Sequence, residues 1–190
     1  MSPQRPYKLA ALEGTAWVEH GHSHAFRREQ TGPLERVVAA PHADQIGLLI
    51  ELTRELPDPF QILYVLLASR RLRPEGRYQA ASPVSRDRME TFLDQFRGFL
   101  EQDGRHHLWI VSPEAAATVV YDHHQLIYAY GPLDDFERVL RQAGMDQGPI
   151  IVPSEHQHRY HPEMDEEEDR LMEHWPWSWF PLEPEDDPLE

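Results

Sequence analysis

"HHLWIVSPEAAATVVYDHHQLIYAYG", residues 106–131, is the stretch that decides the fold class. Its segments 106–112 and 117–122 are rich in β-branched and aromatic residues and read as strands. A tight connection at His123-His124 leads into a further strand over 125–131. Helices flank this block. Upstream, "SRDRMETFLDQFRGFL" (85–100) places Met89, Phe92, Leu93, Phe96, Phe99 and Leu100 on one helical stripe, with Ser85 as N-cap. Downstream, "PLDDFERVLRQAG" (132–144) opens on Pro132, carries Asp134 and Asp135 at the end of the dipole that favours acids, and stops at Gly144.

Working outward, "FQILYVLLAS" (60–69) is a nearly unbroken apolar run and predicts a central strand buried on both faces. "ADQIGLLIELTREL" (43–56) has helical spacing, an Asp44 cap and a stop at Pro57. "GTAWVEHGHSHAFRRE" (14–29) reads as one polar, alternating strand, "GRYQAASPVS" (76–85) as a connection with a short strand, and "GPIIVP" (148–153) as a final short strand. Residues up to Leu12 are interrupted by proline and read as loosely held. Hairpins mixed with helices predict α+β, with a mixed or mainly antiparallel sheet and about three helices packed on one face. The expected organisation is a single α+β domain over 1–162, followed by an acidic, Trp-rich appendage over 163–190 that docks on it.

The 190 residues include no cysteine, which removes disulfides and thiolate metal sites. No apolar segment approaches the ~20 residues of a membrane span, and the opening residues lack a secretory signal. The expected location is cytoplasmic. One lysine stands beside 17 arginines, a bias that points to a GC-rich, bacterial genome. The net charge of −15 is uneven, because residues 163–190 hold twelve carboxylates and one arginine. Such a field repels nucleic acid and membrane surfaces and attracts basic proteins.

No P-loop, GxGxxG, GxSxG or HExxH occurs. Ten of the twelve histidines cluster, at 20/22/24, 106/107, 123/124 and 156/158/161. On a strand, His20, His22 and His24 would share one face. They are the candidate ligands of the alternative function, a metal-dependent enzyme holding a divalent ion such as zinc, with His156, His158 or His161 as further donors. Arg70, Arg71, Arg73 and Arg77 could clamp a phosphate or an acidic peptide.

"MDEEEDRLMEHWPWSWFPLEPEDD" carries the principal expectation. Solvating tails are poor in aromatics, yet here Trp175, Trp177 and Trp179 stand between carboxylates. Glu166, Glu167, Glu168 and Asp169, with the three tryptophans, are the expected partner-binding surface. Charge would speed encounter with a basic protein, and the indoles would supply the energetic centre. In build, and in stretches such as "HHLWIVSP" and "YDHHQLIYAYGPLDDFE", the chain resembles small acidic bacterial immunity proteins of toxin systems. The resemblance implies a non-enzymatic protein that neutralises one cognate basic toxin domain, without catalytic residues or cofactor.

Overall fold

The computed structural model describes residues 6–184 and residue 186. The fold is α+β, as expected. Its elements in chain order are β1 (Leu9–Glu13), β2 (Ala16–Glu19), β3 (Ala25–Thr31), β4 (Leu34–Ala40), α1 (Gln45–Thr53), β5 (Gln61–Leu66), β6 (Gly76–Ala80) and α2 (Arg86–Gln102). There follow β7 (His106–Ser112), β8 (Ala117–Tyr121), β9 (Ile127–Tyr130), α3 (Leu133–Gln142), β10 (Asp146–Gln147), β11 (His156–His158), α4 (Asp165–His174) and β12 (Trp177–Phe180).

Nine strands form one sheet in the order β10-β3-β4-β9-β8-β7-β5-β6-β12, antiparallel except for the β10–β3 pair. A smaller antiparallel sheet has the order β11-β1-β2. The four helices cover one face of the large sheet. Phe26, Val37, Ile62, Tyr64, Leu108, Ile110, Val119 and Ile127 project from the strands into the same core as Ile46 and Leu49 of α1, the α2 stripe, Phe136 and Leu140 of α3, and Leu171 of α4. The 85–100 stripe is buried as predicted. Its expected cap differs: Ser85 makes no side-chain cap bond, and Asp58 Oδ2 accepts from Arg86 N instead, at 3.3 Å. Asp44 does cap α1, accepting from Gly47 N.

Three expectations are corrected. Residues 14–29 are two strands in different sheets, because the chain leaves β2 and turns through His24 in the left-handed region, φ 57°. The 148–153 segment is not a strand. Pro149 and Pro153 offer no ladder donors, and Ile150 instead packs with Val38, Ala40 and Leu126 on the sheet's outer face. The start is not loose either, since β1 is the middle strand of the small sheet and Leu9, Ala10 and Ala11 are buried. The run 60–69 is internal to the sheet, but Gln61 and Leu63 remain half-exposed on its outer face.

The small sheet is pinned against the start of β7. Gly104 N donates to the Arg159 carbonyl and Arg159 N to the Lys8 carbonyl, both at 2.9 Å. A Cβ on Gly104 would stand 2.9 Å from His158 Cβ and 3.0 Å from the Lys8 carbonyl, so only glycine allows this approach. The contact brings β11 beside the β8–β9 turn.

Candidate functional sites: a C-terminal face and an imidazole cluster

Residues 163–180 are built into the fold. α4 packs on α2, and β12 extends the large sheet antiparallel to β6. Trp175 is 7% exposed and stacks on Phe92, while Trp177 is half-buried near Tyr64 and Phe92. Neither indole is placed to anchor a partner. Trp179 remains accessible at 51% exposure, beside Phe180 at 48%.

The acidic residues are mostly engaged. Glu168 is buried and meets Arg105 at 2.6 Å, and Arg105 also holds Asp103 and Asp165. Asp169 takes Arg71 and Arg73, and Glu167 takes Arg170. Glu166 is exposed and has no ion pair among the described residues. The arginines read as an acidic-peptide clamp do grip such a peptide, and it is this chain's own: Arg70 pairs with Asp165, and Arg77 with Glu183 and Asp186.

These pairs stretch the β5–β6 loop over α4. Ser69 Oγ donates to Glu168 Oε1 at 2.6 Å and accepts from Arg71 N and Arg73 N. Between the two arginines Leu72 sits at φ 57°, 95% exposed. A left-handed leucine costs roughly 1–2 kcal/mol and persists only where its surroundings over-determine it. Trp179 borders the same loop, its indole N–H donating to the Glu75 carbonyl at 3.3 Å. A shallow, open cleft lined by Arg70, Arg71, Arg73, Pro74 and Asp169 lies beside Leu72.

The expected trio His20, His22 and His24 does not converge. His20 and His22 touch edge-on, but neither lies on a strand, and His24 turns away to His42 and the Ala143 carbonyl. A different set converges where β11 meets the β8–β9 turn. Asp122 organises that turn, its Oδ1 accepting from His124 N at 2.9 Å and Leu126 N at 2.8 Å. His123 and His124 therefore point to the same side, ring centroids 4.2 Å apart. His156 and His158, two apart on β11, meet them: His158 stacks on His123 at 3.8 Å, and His156 Nε2 lies 3.3 Å from His124 Nε2. His107 closes the inner side against His123 at 4.6 Å.

Burial keeps His107, His123 and His158 neutral. It lowers His158 to about 3, with His124 and His156 adding to the effect, and lowers His107 to about 4. His123 is pushed far below the ordinary range by burial and by His107 and His158. Burial opposes the charge of Asp122, but the hydrogen bond and charge interaction with His124, together with His107 and the Leu126 N–H, outweigh it and hold the carboxyl below its usual value. Lys8 reaches toward the cluster from β1's leading edge. It is fully buried, donates to the Leu100 carbonyl at 2.9 Å and lies 4.0 Å above the Tyr121 ring centroid. Burial brings it down to about 7 despite Asp122, Asp103 and Glu101.

Comparison with known proteins gives no match. No family model, no curated protein and no solved structure aligns significantly with the chain. Among the described residues, no helix is long and apolar enough to cross a membrane.

Sequence reasoning passed over two features. Leu72 carried no signal beyond an apolar residue inside an arginine run, and its left-handed backbone follows from contacts with α4, a hundred residues away. The histidines at 123/124 and 156/158 were visible as groups, and the period-2 spacing of 156 and 158 was informative. Their meeting depends on the β1–β11 pairing, which no local pattern announces.

Proposed function

We propose that this chain is a non-enzymatic protein-binding module of the immunity type, which captures a basic protein partner through the knuckle at Leu72 and the adjoining edge strand β12. The observation that carries this reading is Leu72 itself. The loop bonds of Ser69 and the arginine pairs to α4 hold an apolar side chain outward in a costly backbone conformation. The contacts with α4 account for the backbone, but the leucine side chain is left 95% exposed, and strain of this kind clusters at ligand-facing positions. Trp179 and Phe180 supply amphipathic area next to it, of the residue type that dominates interface energetics. Internal pairing leaves the net charge at −15, so the long-range field still favours a cationic partner, and exposed Glu166 lies on the α4 side of this face.

A photo-crosslinking residue in place of Leu72 tests the reading in the native host. The expected product is one discrete adduct with a basic protein. Its purified partner should lose at least tenfold in affinity against Trp179→Ala or Leu72→Asp, and more modestly against Glu166→Lys. An adduct whose partner binds all three variants as tightly as the unaltered chain overturns it.

A further inference from the structure

We infer that His123, His124 and His158 form a binding site for a first-row divalent metal ion, of which zinc is the simplest representative. The inference is independent of the docking face, which is built on the β5–β6 loop and β12 and shares no residue with it.

Three observations converge. First, one ligand atom from each ring lies within 4.8 Å of the others, and this is the sole such group among the described residues. Ligand nitrogens stand about 2.0–2.1 Å from zinc, so two ligands of one tetrahedral ion are about 3.3–3.4 Å apart and the cluster draws together when the ion enters. His123 and His158 stack with their planes 15° apart, so one of the two rings swings out of the stack to aim its in-plane lone pair at a shared ion.

Second, the rings are left wanting a partner. Both nitrogens of His158 and Nε2 of His107 are buried without a hydrogen-bond partner among the described residues. A buried polar atom so placed costs about 1–3 kcal/mol, and His107 is itself more than nine-tenths buried. A cation accepted by the cluster removes that cost for the one His158 nitrogen that ligates it.

Third, the outer partners set the tautomers that ligation requires. The Asp122 carboxylate only accepts, so His124 Nδ1, 3.1 Å from Oδ2, carries the proton and Nε2 presents a lone pair to the cluster. This carboxylate–histidine arrangement orients the ring and raises its basicity. The Pro153 carbonyl likewise accepts from His156 Nδ1 at 2.7 Å. His156 Nε2, 3.3 Å from His124 Nε2, thus stands at the separation of two ligands on one tetrahedral ion and is placed to be the fourth donor. His22 Nε2 donates to the His124 carbonyl at 2.7 Å and braces the turn from outside.

The donor set selects the ion's class. Neutral imidazoles without thiolate suit zinc, nickel or copper(II) and are poor ligands for calcium or magnesium. Lys8 and Asp122 are the charges nearest the cluster, so a bound dication is opposed by the ammonium and favoured by the carboxylate. Because two of the ligands come from the β8–β9 turn and one from β11, the ion would lock the small sheet onto the large one.

The test uses tag-free full-length protein, dialysed against chelator and titrated with Zn²⁺. The expected result is one ion per chain, a raised melting temperature, and at least tenfold weaker binding in His124→Ala and His158→Ala. His24→Ala should bind normally, and Leu72→Asp should leave zinc affinity unchanged. Should the alanine variants fail to fold, Co²⁺ added to the unaltered protein decides the matter. Intense visible bands of a tetrahedral nitrogen site support the inference. The faint spectrum of hydrated cobalt, absent stoichiometric zinc, or zinc binding that survives the His124/His158 double substitution overturns it.

Discussion

The indole of Trp175 stacks on the ring of Phe92, centroids 4.4 Å apart and planes 24° apart. A C-terminal residue thereby fills the core face of α2, and His174 and Trp177 pack around the same ring. Trp175→Ala should lower unfolding free energy by about 3–5 kcal/mol, the usual cost of deleting a buried aromatic. Urea denaturation measures it. A loss under about 1 kcal/mol would show that the C-terminal segment is dispensable to the core.

The Arg105 guanidinium is buried among Asp103, Asp165 and Glu168. Breaking an isolated buried pair costs 3–5 kcal/mol. Because Asp103 and Asp165 continue to compensate the cation, Glu168→Gln should cost less, about 2–3 kcal/mol. Glu166→Lys, at an exposed position, should change stability by no more than about 0.5 kcal/mol. Chemical denaturation of the two variants separates fastening from surface charge.

Replacing Leu72 by glycine should stabilise the protein while abolishing partner capture. Glycine adopts a φ of 57° without the Cβ clash, a gain of roughly 1–2 kcal/mol that greater freedom in the unfolded chain reduces to about 0.5–1 kcal/mol. A higher denaturation midpoint with lost binding is the expected pair of results.

Stability should fall as pH drops below about 6.5, before most carboxylates titrate. His107 and His158 have folded-state values of about 4 and 3, under the unfolded value near 6.5. Between those limits the unfolded chain binds protons that the native rings refuse, so acid favours unfolding. Each ring contributes about 1.4 kcal/mol per pH unit at most, and the slope from His107 vanishes below about pH 4. Melting temperature measured from pH 7.5 to 4.5 should decline, and His107→Gln should flatten the decline.

Local pattern carried the reading where a single element answers to a single core. The 85–100 helix was legible because six apolar residues repeat on one stripe, and the hairpin strands of 106–131 because β-rich runs alternate with short turns. It failed where position depends on remote partners. Residues 14–29 look continuous, yet the two halves belong to different sheets. Trp175, Trp177 and Trp179 looked equivalent, yet Trp175 ends α4 and stacks on Phe92 of α2, whereas Trp179, on the same face of β12 as Trp177, is half-exposed. The same holds for the carboxylates. Glu168 and Glu166 differ only in which side of α4 meets Arg105.

Lys8, the sole lysine, has no solvent contact, its amine enclosed by Tyr121 and the Leu100 carbonyl. No side-chain amine is therefore offered to acylating reagents, to lysine-directed proteases or to enzymes that append groups at lysine while the fold is intact. Reactivity at this one position reports opening of the molecule, and the rate at which it acquires a label is a direct gauge of how often the β1 strand comes away.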